Sequence, residues 1–261
     1  MKNNWKIWDM DTTYGDTFFL RATGNMPEME SSKAIAKRIK KYVRKNDSIL
    51  DIGCGGGHYL VSLDKALEVN FSYTGVDATP YYIKKAKEAF CSGKSPKNPH
   101  RTSTEFIVGD IFNIPLEDNH SDLVACSNVL LHLPSVEKSI RELIRVSKKY
   151  VIIRTLIGNT SFRIKHIKEP EKYNEDGEPE KFYFFNIYSE KYIQELIGSI
   201  KGVRSFSLEK DQDFNPDNIG TKEYKDSKKE VPFNVTTVVN GMQLNNYIIQ
   251  PWQFLVIEKK A

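Results

Sequence analysis

The 261-residue sequence predicts an α/β fold, in which helices cover both faces of a doubly wound, mainly parallel sheet. Two observations support this class. Short apolar runs alternate with amphipathic stretches between about residues 48 and 156, a pattern typical of strands joined by right-handed helical crossovers. The first apolar run, residues 48–52, also passes directly into a glycine-crowded turn, and sheets of this class bind their ligands at such strand ends.

The first predicted helix follows an aromatic segment. Residues 1–30 are rich in aromatic side chains without a clean period, so we expect an irregular segment that folds over the rest of the chain as a lid. A helix is predicted to begin at Ser31 or Ser32, because serine is a favoured helix cap. The apolar residues of this helix recur four apart, at Ile35, Ile39 and Val43.

The alternating part of the chain predicts five strands and three further helices. The strands are expected at about 48–52, 73–77, 105–108, 122–126 and 150–156. The helices are expected at about 57–67, 80–90 and 135–148. Pro80 suits a helix start, because its fixed φ and missing N–H are tolerated in the first turn.

Two polar stretches, 159–188 and 211–250, interrupt the alternation and are predicted to be insertions. The second contains Asn240-Gly241, a strong signal for a hairpin turn. A helix at about 189–200 and strands at about 203–209 and 252–258 complete the core. We therefore expect a lid segment, residues 1–30, followed by one domain, residues 31–261, that carries both insertions.

Composition and charge exclude several classes of protein. The 38 basic and 34 acidic residues are scattered along the chain. The sequence therefore has no block of like charges that would predict a tail for binding nucleic acid. The three cysteines, Cys54, Cys91 and Cys126, have no C-x-x-C spacing, which disfavours a disulfide framework and a metal site and predicts a reducing, cytoplasmic compartment. The first twenty residues lack the apolar core of a signal peptide, and no run of about 18 apolar residues predicts a membrane span.

The glycine turn is the feature that points most directly to chemistry. Gly53, Gly55 and Gly57 alternate after Asp51, and residues without a Cβ let the chain turn sharply and let a ligand approach the backbone. The fingerprint that binds nicotinamide dinucleotides does not require a carboxylate before its first glycine. Asp51 therefore indicates a different ligand from the pyrophosphate of a dinucleotide.

The pattern Asp-x-Gly-x-Gly-x-Gly resembles the cofactor loop of class I S-adenosylmethionine-dependent methyltransferases, in their small-molecule branch. Further motifs follow in the family's order: Asp77 after the second strand, Gly109-Asp110-Ile111-Phe112 after the third and Asn128 after the fourth. The resemblance implies S-adenosyl-L-methionine as cofactor. It also implies a Rossmann-like seven-stranded sheet of order 3-2-1-4-5-7-6, with strand 7 antiparallel and with lid insertions.

The same resemblance implies a role for each motif residue in binding the cofactor. Asp51, Gly53, Cys54, Gly55 and Gly57 would hold its amino acid end. Asp77 and Ala78 would hold the ribose, Asp110 and Ile111 the adenine, and Asn128 the end that donates the methyl group. Simpler alternatives stay open, since Asp77 and Asn128 also suit caps and Gly-Asp is a common turn.

Candidates for acceptor chemistry lie outside the glycine turn. His132, four residues beyond the fourth strand, is either a general base or a structural residue. Tyr14 and Phe18 could close over the site, and Tyr183 and Phe185 could wall a planar substrate, unless these rings are ordinary core. Arg154 could pair with a substrate carboxylate or phosphate, or with an acid of a lid.

Three functional hypotheses follow from these features. The favoured one is an enzyme that methylates an O or N atom of a small-molecule acceptor, works as a monomer or homodimer and binds no nucleic acid or membrane. The second is a methyltransferase of RNA or protein, which the basic residues Arg163, Lys165, His166 and Lys168 would support. The third is a protein that binds S-adenosylmethionine without catalysis. The absence of an Asn-Pro-Pro-Tyr type motif after the fourth strand disfavours the amino-methylating DNA, RNA and protein-glutamine branches.

Overall fold

A central sheet organises the computed structural model, which describes residues 12–92, 95, 98–212, 236–239, 242–245 and 248–260. The helices are α1 (Thr12–Ala22), α2 (Glu30–Lys40), α3 (His58–Ala66), α4 (Pro80–Phe90), α5 (Glu137–Val146) and α6 (Glu190–Gly198). The first strands are β1 (Asp47–Ile52), β2 (Phe71–Asp77), β3 (Arg101–Val108), β4 (Ser121–Ser127), β5 (Ser147–Gly158), β6 (Lys165–Ile167) and β7 (Phe182–Phe184). The remaining strands are β8 (Tyr188–Ser189), β9 (Val203–Lys210), β10 (Thr236–Val239), β11 (Met242–Asn245), β12 (Ile248–Gln250) and β13 (Trp252–Lys259).

The order of the main sheet is β3-β2-β1-β4-β5-β13-β9, which confirms the predicted topology. Strands β1 to β5 pair in parallel, whereas β13 pairs antiparallel with both β5 and β9 and is the predicted seventh strand. The order reverses between β1 and β4. A crevice for a ligand forms at such a reversal, outside the carboxyl ends of the strands.

Two apolar layers hold the helices on the sheet. On one face, Leu50 and Ile52 of β1 pack in a cluster that includes residues of α5 and α6. On the other face, Ile49 packs in a cluster that includes Ile35 of α2 and Leu60 of α3. Neighbouring residues of a strand point to opposite faces, so β1 must be apolar nearly throughout to serve both layers.

The N-terminal region differs from the prediction in two ways. Residues 12–22 form helix α1 instead of an irregular segment, because Gly15 lets the helix lie against the rings of Tyr81 and Tyr82 in α4, and Ala22 is fully buried. The predicted caps of α2 were wrong. Met29 is the N-cap residue and makes no side-chain cap. Ser31 instead lies 3.0 Å from the Tyr59 hydroxyl, because both residues are buried where α2 packs on α3.

Both predicted insertions contain antiparallel hairpins. In the first, β6 pairs with β7 and places His166 opposite Tyr183. In the second, β10 pairs with β11 so that Val239 lies opposite Met242. The predicted turn at Asn240-Gly241 joins these two strands but lies outside the described residues, as do Trp5 and Trp8 of the lid segment. Across the described ranges, no helix combines the length and apolar character needed to cross a bilayer.

Candidate active site

The carboxyl ends of β1, β2, β3 and β4 bring the predicted binding residues to one edge of the sheet. Backbone hydrogen bonds connect these ends. The Gly53 amide donates to the Val76 carbonyl at 2.7 Å, and the Gly109 amide donates to the Asp77 carbonyl at 3.0 Å. At the fourth strand, the Asn128 amide donates to the Arg154 carbonyl at 2.9 Å. The motifs that are separate in sequence therefore meet where the topology predicts a crevice.

The glycine loop has a backbone that favours glycine. Gly53, Gly55 and Gly57 have φ values of +79°, +54° and +78°, a region that other L-residues rarely adopt. A Cβ at Gly53 would lie 2.2 Å from Cγ2 of Val129, which follows β4. The loop therefore needs glycine for its turn and for its contact with the neighbouring strand end.

Asp77 connects the loop to the start of α4. Its Oδ2 accepts a hydrogen bond from the Gly55 amide, and its Oδ1 accepts one from the Thr79 amide, both at 2.9 Å. Thr79 is the N-cap residue of α4, and the exposed Ala78 lies between them. Each carboxylate oxygen has a further lone pair, so the contact with ribose hydroxyls remains compatible with these bonds and stays a prediction.

Asp51 lies under the loop and is 3% exposed. The hydroxyl of Tyr73 in β2 donates to its Oδ2 at 2.8 Å. The pKa of the Asp51 carboxyl is raised to about 7, chiefly by burial and also by the negative charge of Asp77, whereas the Tyr73 hydrogen bond opposes the shift. A cationic group near Asp51 would favour the ionised carboxylate, which is the chemistry expected beside the ammonium of an amino acid tail.

The adenine and methyl ends of the predicted site have different surroundings. Asp110 accepts a hydrogen bond from the Phe112 amide at 2.9 Å, which closes the turn after β3. Ile111 is 7% exposed and belongs to the apolar cluster beside α5. Asn128 has a φ of +60°, and its Nδ2 donates to the Tyr59 hydroxyl at 3.2 Å.

Arg154 of β5 is held by a buried network. Its Nη1 donates to Oδ1 of Asn128 at 2.6 Å, and its Nε and Nη2 both lie 2.7 Å from Oδ2 of Asp211. The side chains of Arg154 and Asp211 are 4% and 1% exposed, and the guanidinium lies 4.1 Å from the ring centre of Trp252. The ion pair with Asp211 corresponds to one of the two alternatives given for Arg154, pairing with an acid. Binding of a substrate carboxylate or phosphate by Arg154 stays a prediction.

His132 lies at the end of a short 3-10 helix, Leu130–His132, that follows β4. Its Nδ1 is 2.8 Å from the carbonyl oxygen of Phe184. A carbonyl only accepts, so Nδ1 carries the proton and Nε2 carries the lone pair of the neutral ring. Burial lowers the pKa of His132 to about 4, and this outweighs the opposing effect of the bond to Phe184. The ring is therefore neutral at pH 7.

The hairpin of β6 and β7 brings an aromatic cluster to His132. The rings of Tyr183 and Phe185 lie 6.3 and 6.2 Å from its ring, both at steep angles. His166 stacks on Tyr183 at 4.9 Å and 13°. Burial also lowers the pKa of His166, so the cluster consists of uncharged rings. The sequence indicated His166 only as part of a basic patch. The pairing of β6 with β7 places it beside Tyr183, and the residues around His166 give no signal of that pairing.

Helix α1 covers the glycine loop from the other side. The ring of Phe18 stacks on the ring of His58 at 4.2 Å and 6°. A Cβ at Gly55 would lie 3.0 Å from Phe18, so this ring rests on the loop itself. Tyr14 is 39% exposed and lies 6.2 Å from Phe18. The structure thus places Phe18 at the loop, while its role toward a substrate stays a prediction.

Sequence reasoning did not identify Tyr59, Tyr73 or Asp211 as parts of this site. Tyr73 and Asp51 belong to neighbouring strands, and their contact depends on the register that pairs Asp51 with Gly75. Asp211 directly follows β9, which is the only local signal for its position. These contacts form only when the strands pair in the sheet, so the sequence alone did not predict them.

The residues at this edge fit S-adenosylmethionine. Two carboxylates, Asp77 and Asp110, follow neighbouring strands at positions suited to ribose and adenine, and the glycines of the loop have no Cβ to keep an amino acid tail from their backbone. One observation indicates an absent partner. Nδ1 of His58 is buried and has no hydrogen-bond partner among the residues that the structure describes.

Comparisons with known proteins agree with this site. A family model described as a methyltransferase domain matches residues 43–214, which is more than half of the chain. An uncharacterized methyltransferase of Schizosaccharomyces pombe is 35% identical over 108 residues, covering 41% of this chain and 38% of that protein. A demethylmenaquinone methyltransferase of Staphylococcus aureus is 31% identical over 126 residues, covering 48% of this chain and 49% of that protein. The alignments thus span less than half the length of these curated relatives.

A solved structure supports the fold assignment. The crystal structure of a SAM-dependent methyltransferase from Methanosarcina mazei matches with a TM-score of 0.53 and 19% identity, covering 86% of this chain and 97% of that chain. With the family match, the glycine loop and the strand order, this likeness leads to one conclusion. The chain belongs to the S-adenosylmethionine-dependent methyltransferase family.

Proposed function

We propose that this enzyme methylates an oxygen or nitrogen atom of a small, largely planar acceptor. One observation carries the proposal: the hairpin of β6 and β7 places the rings of Tyr183, Phe185 and His166 beside His132. His132 follows Asn128 by four residues at the end of β4, where the methyl-donating end of the cofactor is predicted. Uncharged rings beside this position suit a flat acceptor, because their faces stack and exclude water.

When bound, the cofactor would supply a methyl group on a cationic sulfur; the acceptor's nucleophile would form a bond to the methyl carbon while the bond to sulfur breaks and the sulfur leaves as a neutral thioether. The protein has to hold the nucleophile in line and keep the site dry. Its residues suit this task. Arg154 and Tyr59 hold the side chain of Asn128 from two directions, and the aromatic cluster shields the adjoining space.

His132 suits a positioning role toward the acceptor. With its proton on Nδ1 and its pKa near 4, the ring is neutral at pH 7 and can act toward an acceptor only as a hydrogen-bond acceptor, through Nε2. Such a ring is a weak base at pH 7, so it orients the nucleophile and receives its proton only as the new bond forms. An acceptor with an acidic hydroxyl or a neutral amine fits this chemistry best.

The basic residues of the first insertion favour a small acceptor over RNA. Lys165 forms an ion pair with Glu178, and Arg163 donates a hydrogen bond to the Pro134 carbonyl. His166 is stacked and neutral. These side chains are used within the protein, which leaves less positive charge for phosphates than the sequence suggested. The name of the Staphylococcus aureus relative, demethylmenaquinone methyltransferase, also supports an acceptor of low molecular weight.

The test is a transfer assay with a labelled methyl donor and a panel of phenols, catechols, heteroaromatic amines and aliphatic amines, with RNA and protein fractions alongside. We expect label in a planar low-mass product. Tyr183→Ala should lower kcat/KM for that acceptor by about tenfold or more, through lost ring contact. Tyr173→Ala is the matched control, because this exposed tyrosine lies in the same insertion outside the cluster.

Two results would contradict the proposal. One is label found only in the RNA or protein fraction. The other is equal activity of Tyr183→Ala and wild type on every acceptor, with donor binding intact. Asp77→Ala is the donor-side control and should weaken cofactor binding by about 1.5–3 kcal/mol, as expected for hydrogen bonds to a charged acceptor.

A further inference from the structure

We propose that His58 and Arg21 together bind the carboxylate of the donor's amino acid tail, between helix α1 and the glycine loop. This assignment depends on the binding of S-adenosylmethionine and does not depend on the acceptor proposed above. It assigns a ligand contact to two side chains that lie outside the glycine motif, one at the start of α3 and one in the last turn of α1.

Two buried polar atoms lack partners at this place. His58 is 7% exposed, and its Nδ1 makes no hydrogen bond within the described part of the chain. The Nε of Arg21 is likewise buried and without a partner there, although its Nη1 donates to the Pro27 carbonyl. Most buried polar atoms in folded proteins are hydrogen-bonded, and leaving one unsatisfied costs about 1–3 kcal/mol. Two such atoms on facing elements indicate an absent ligand.

The packing of α1 brings the helix face that carries Arg21 against His58 and the glycine loop. Phe18 and Arg21 are three residues apart and share one face of α1. Phe18 stacks on His58 and rests on Gly55, so this face of α1 covers the loop. The positive charge of Arg21 lowers the pKa of His58, in addition to the larger effect of burial, which agrees with the closeness of the two side chains.

The positive charge of Arg21 and the hydrogen-bond donor of His58 together favour an anionic ligand. Arg21 is a cation, and His58 is neutral because its pKa falls to about 3, so a proton on Nδ1 can be donated. His58 is also the first residue of α3, whose N-terminal amides carry partial positive charge. S-adenosylmethionine has one carboxylate, on the tail that the glycine loop is predicted to hold.

The test compares two ligands that differ by the carboxylate alone. S-adenosylhomocysteine keeps the carboxylate, and its decarboxylated analogue keeps the adenosine, sulfur and amine. Arg21→Met and His58→Phe should each weaken S-adenosylhomocysteine binding by about tenfold or more in calorimetry, as for loss of a hydrogen bond to a charged group. Both variants should bind the decarboxylated analogue as wild type does. His58→Phe keeps a ring to stack on Phe18, and Arg163→Met is the control for loss of a positive charge elsewhere.

Either of two outcomes overturns the proposal. If a variant loses affinity equally for both ligands, the residue supports the fold of the loop and not the carboxylate. If affinity for S-adenosylhomocysteine is unchanged in Arg21→Met, the assignment is wrong. Circular dichroism identifies a variant that fails to fold, and Arg21→Met then carries the test alone, since Arg21 lies at the end of α1. No acceptor is present in this experiment, so its failure is distinct from failure of the proposed acceptor chemistry.

Discussion

At the scale of single residues, the site depends on charges that the sheet removes from water. Arg154 and Asp211 form an ion pair with 4% and 1% of their side chains exposed. Asp51 is buried under the glycine loop with Tyr73 as its hydrogen-bond donor. Buried charges are costly unless they are paired, so these residues connect stability to the geometry of the site.

Removing one member of the buried pair should destabilise the protein strongly. Asp211→Asn leaves the Arg154 guanidinium without its counter-charge, and we expect a loss of about 3–5 kcal/mol in the free energy of unfolding. The double variant Arg154→Met/Asp211→Leu should recover much of this loss, because it removes both charges. Urea denaturation measures both. A loss below about 1 kcal/mol in Asp211→Asn would show that the pair is not desolvated as the structure has it.

The carboxyl of Asp51 predicts a pH dependence of stability. Its pKa is about 7 in the folded protein, whereas an unperturbed aspartate has a pKa of about 3.9. The folded state therefore binds the proton more tightly, and this residue's contribution to stability falls as pH rises from about 4 to about 7. Asp51→Asn removes the titration, so the stability of the variant relative to wild type should increase over that window by up to about 4 kcal/mol.

Urea unfolding at pH 5 and pH 8 checks this slope. The exposed Asp176 supplies the control, and Asp176→Asn should show no such change relative to wild type. A stability difference for Asp51→Asn that is the same at both pH values would contradict the assignment of the buried, protonated carboxyl.

At the scale of elements, helices with a strong local sequence signal were predictable. Elements whose position depends on close packing were not. The helix at Pro80–Phe90 was predicted at the bounds that the structure has, because proline fixes its start and the apolar period is regular. Helix α1 was not predicted, because it docks through Gly15 and Ala22, and small residues give no apolar period. The ring contacts of His166 depend on the pairing of β6 with β7 and gave no local signal either.

The docking of α1 can be tested at its closest point. A Cβ at Gly15 would lie 2.8 Å from the rings of Tyr81 and Tyr82, so Gly15→Val should displace α1 from α4. We expect faster amide exchange in residues 12–22 and weaker binding of S-adenosylhomocysteine, with protection of β1 and β4 unchanged. Gly24→Val is the control, since nothing lies within 4 Å of a Cβ there, although its φ of +80° adds local strain. Unchanged exchange in α1 would contradict the packing described.

At the scale of the whole molecule, the alternation of strands and helices predicted a doubly wound sheet, and the resemblance to the methyltransferase family supplied the order of its strands. Motif residues at the ends of successive strands agree with a parallel sheet, and the same resemblance supplied the antiparallel seventh strand. The buried network of Asn128, Arg154 and Asp211 was not predictable, because it joins three strand ends that are far apart in sequence. The motifs thus predict residues for the donor side of the site, whereas a prediction for the acceptor side needs the folded insertions.

The position of β13 has a consequence for synthesis of the protein. This strand is last in the described chain but lies inside the sheet, between β5 and β9. A ribosome therefore completes strands β1 to β5 while Val151, Ile152 and Ile153 of β5 still lack β13 beside them. An open apolar edge of this kind invites pairing with other chains. The nascent chain thus passes through a stage with one unpaired edge of β5, and the sheet closes only when residues 252–259 have emerged.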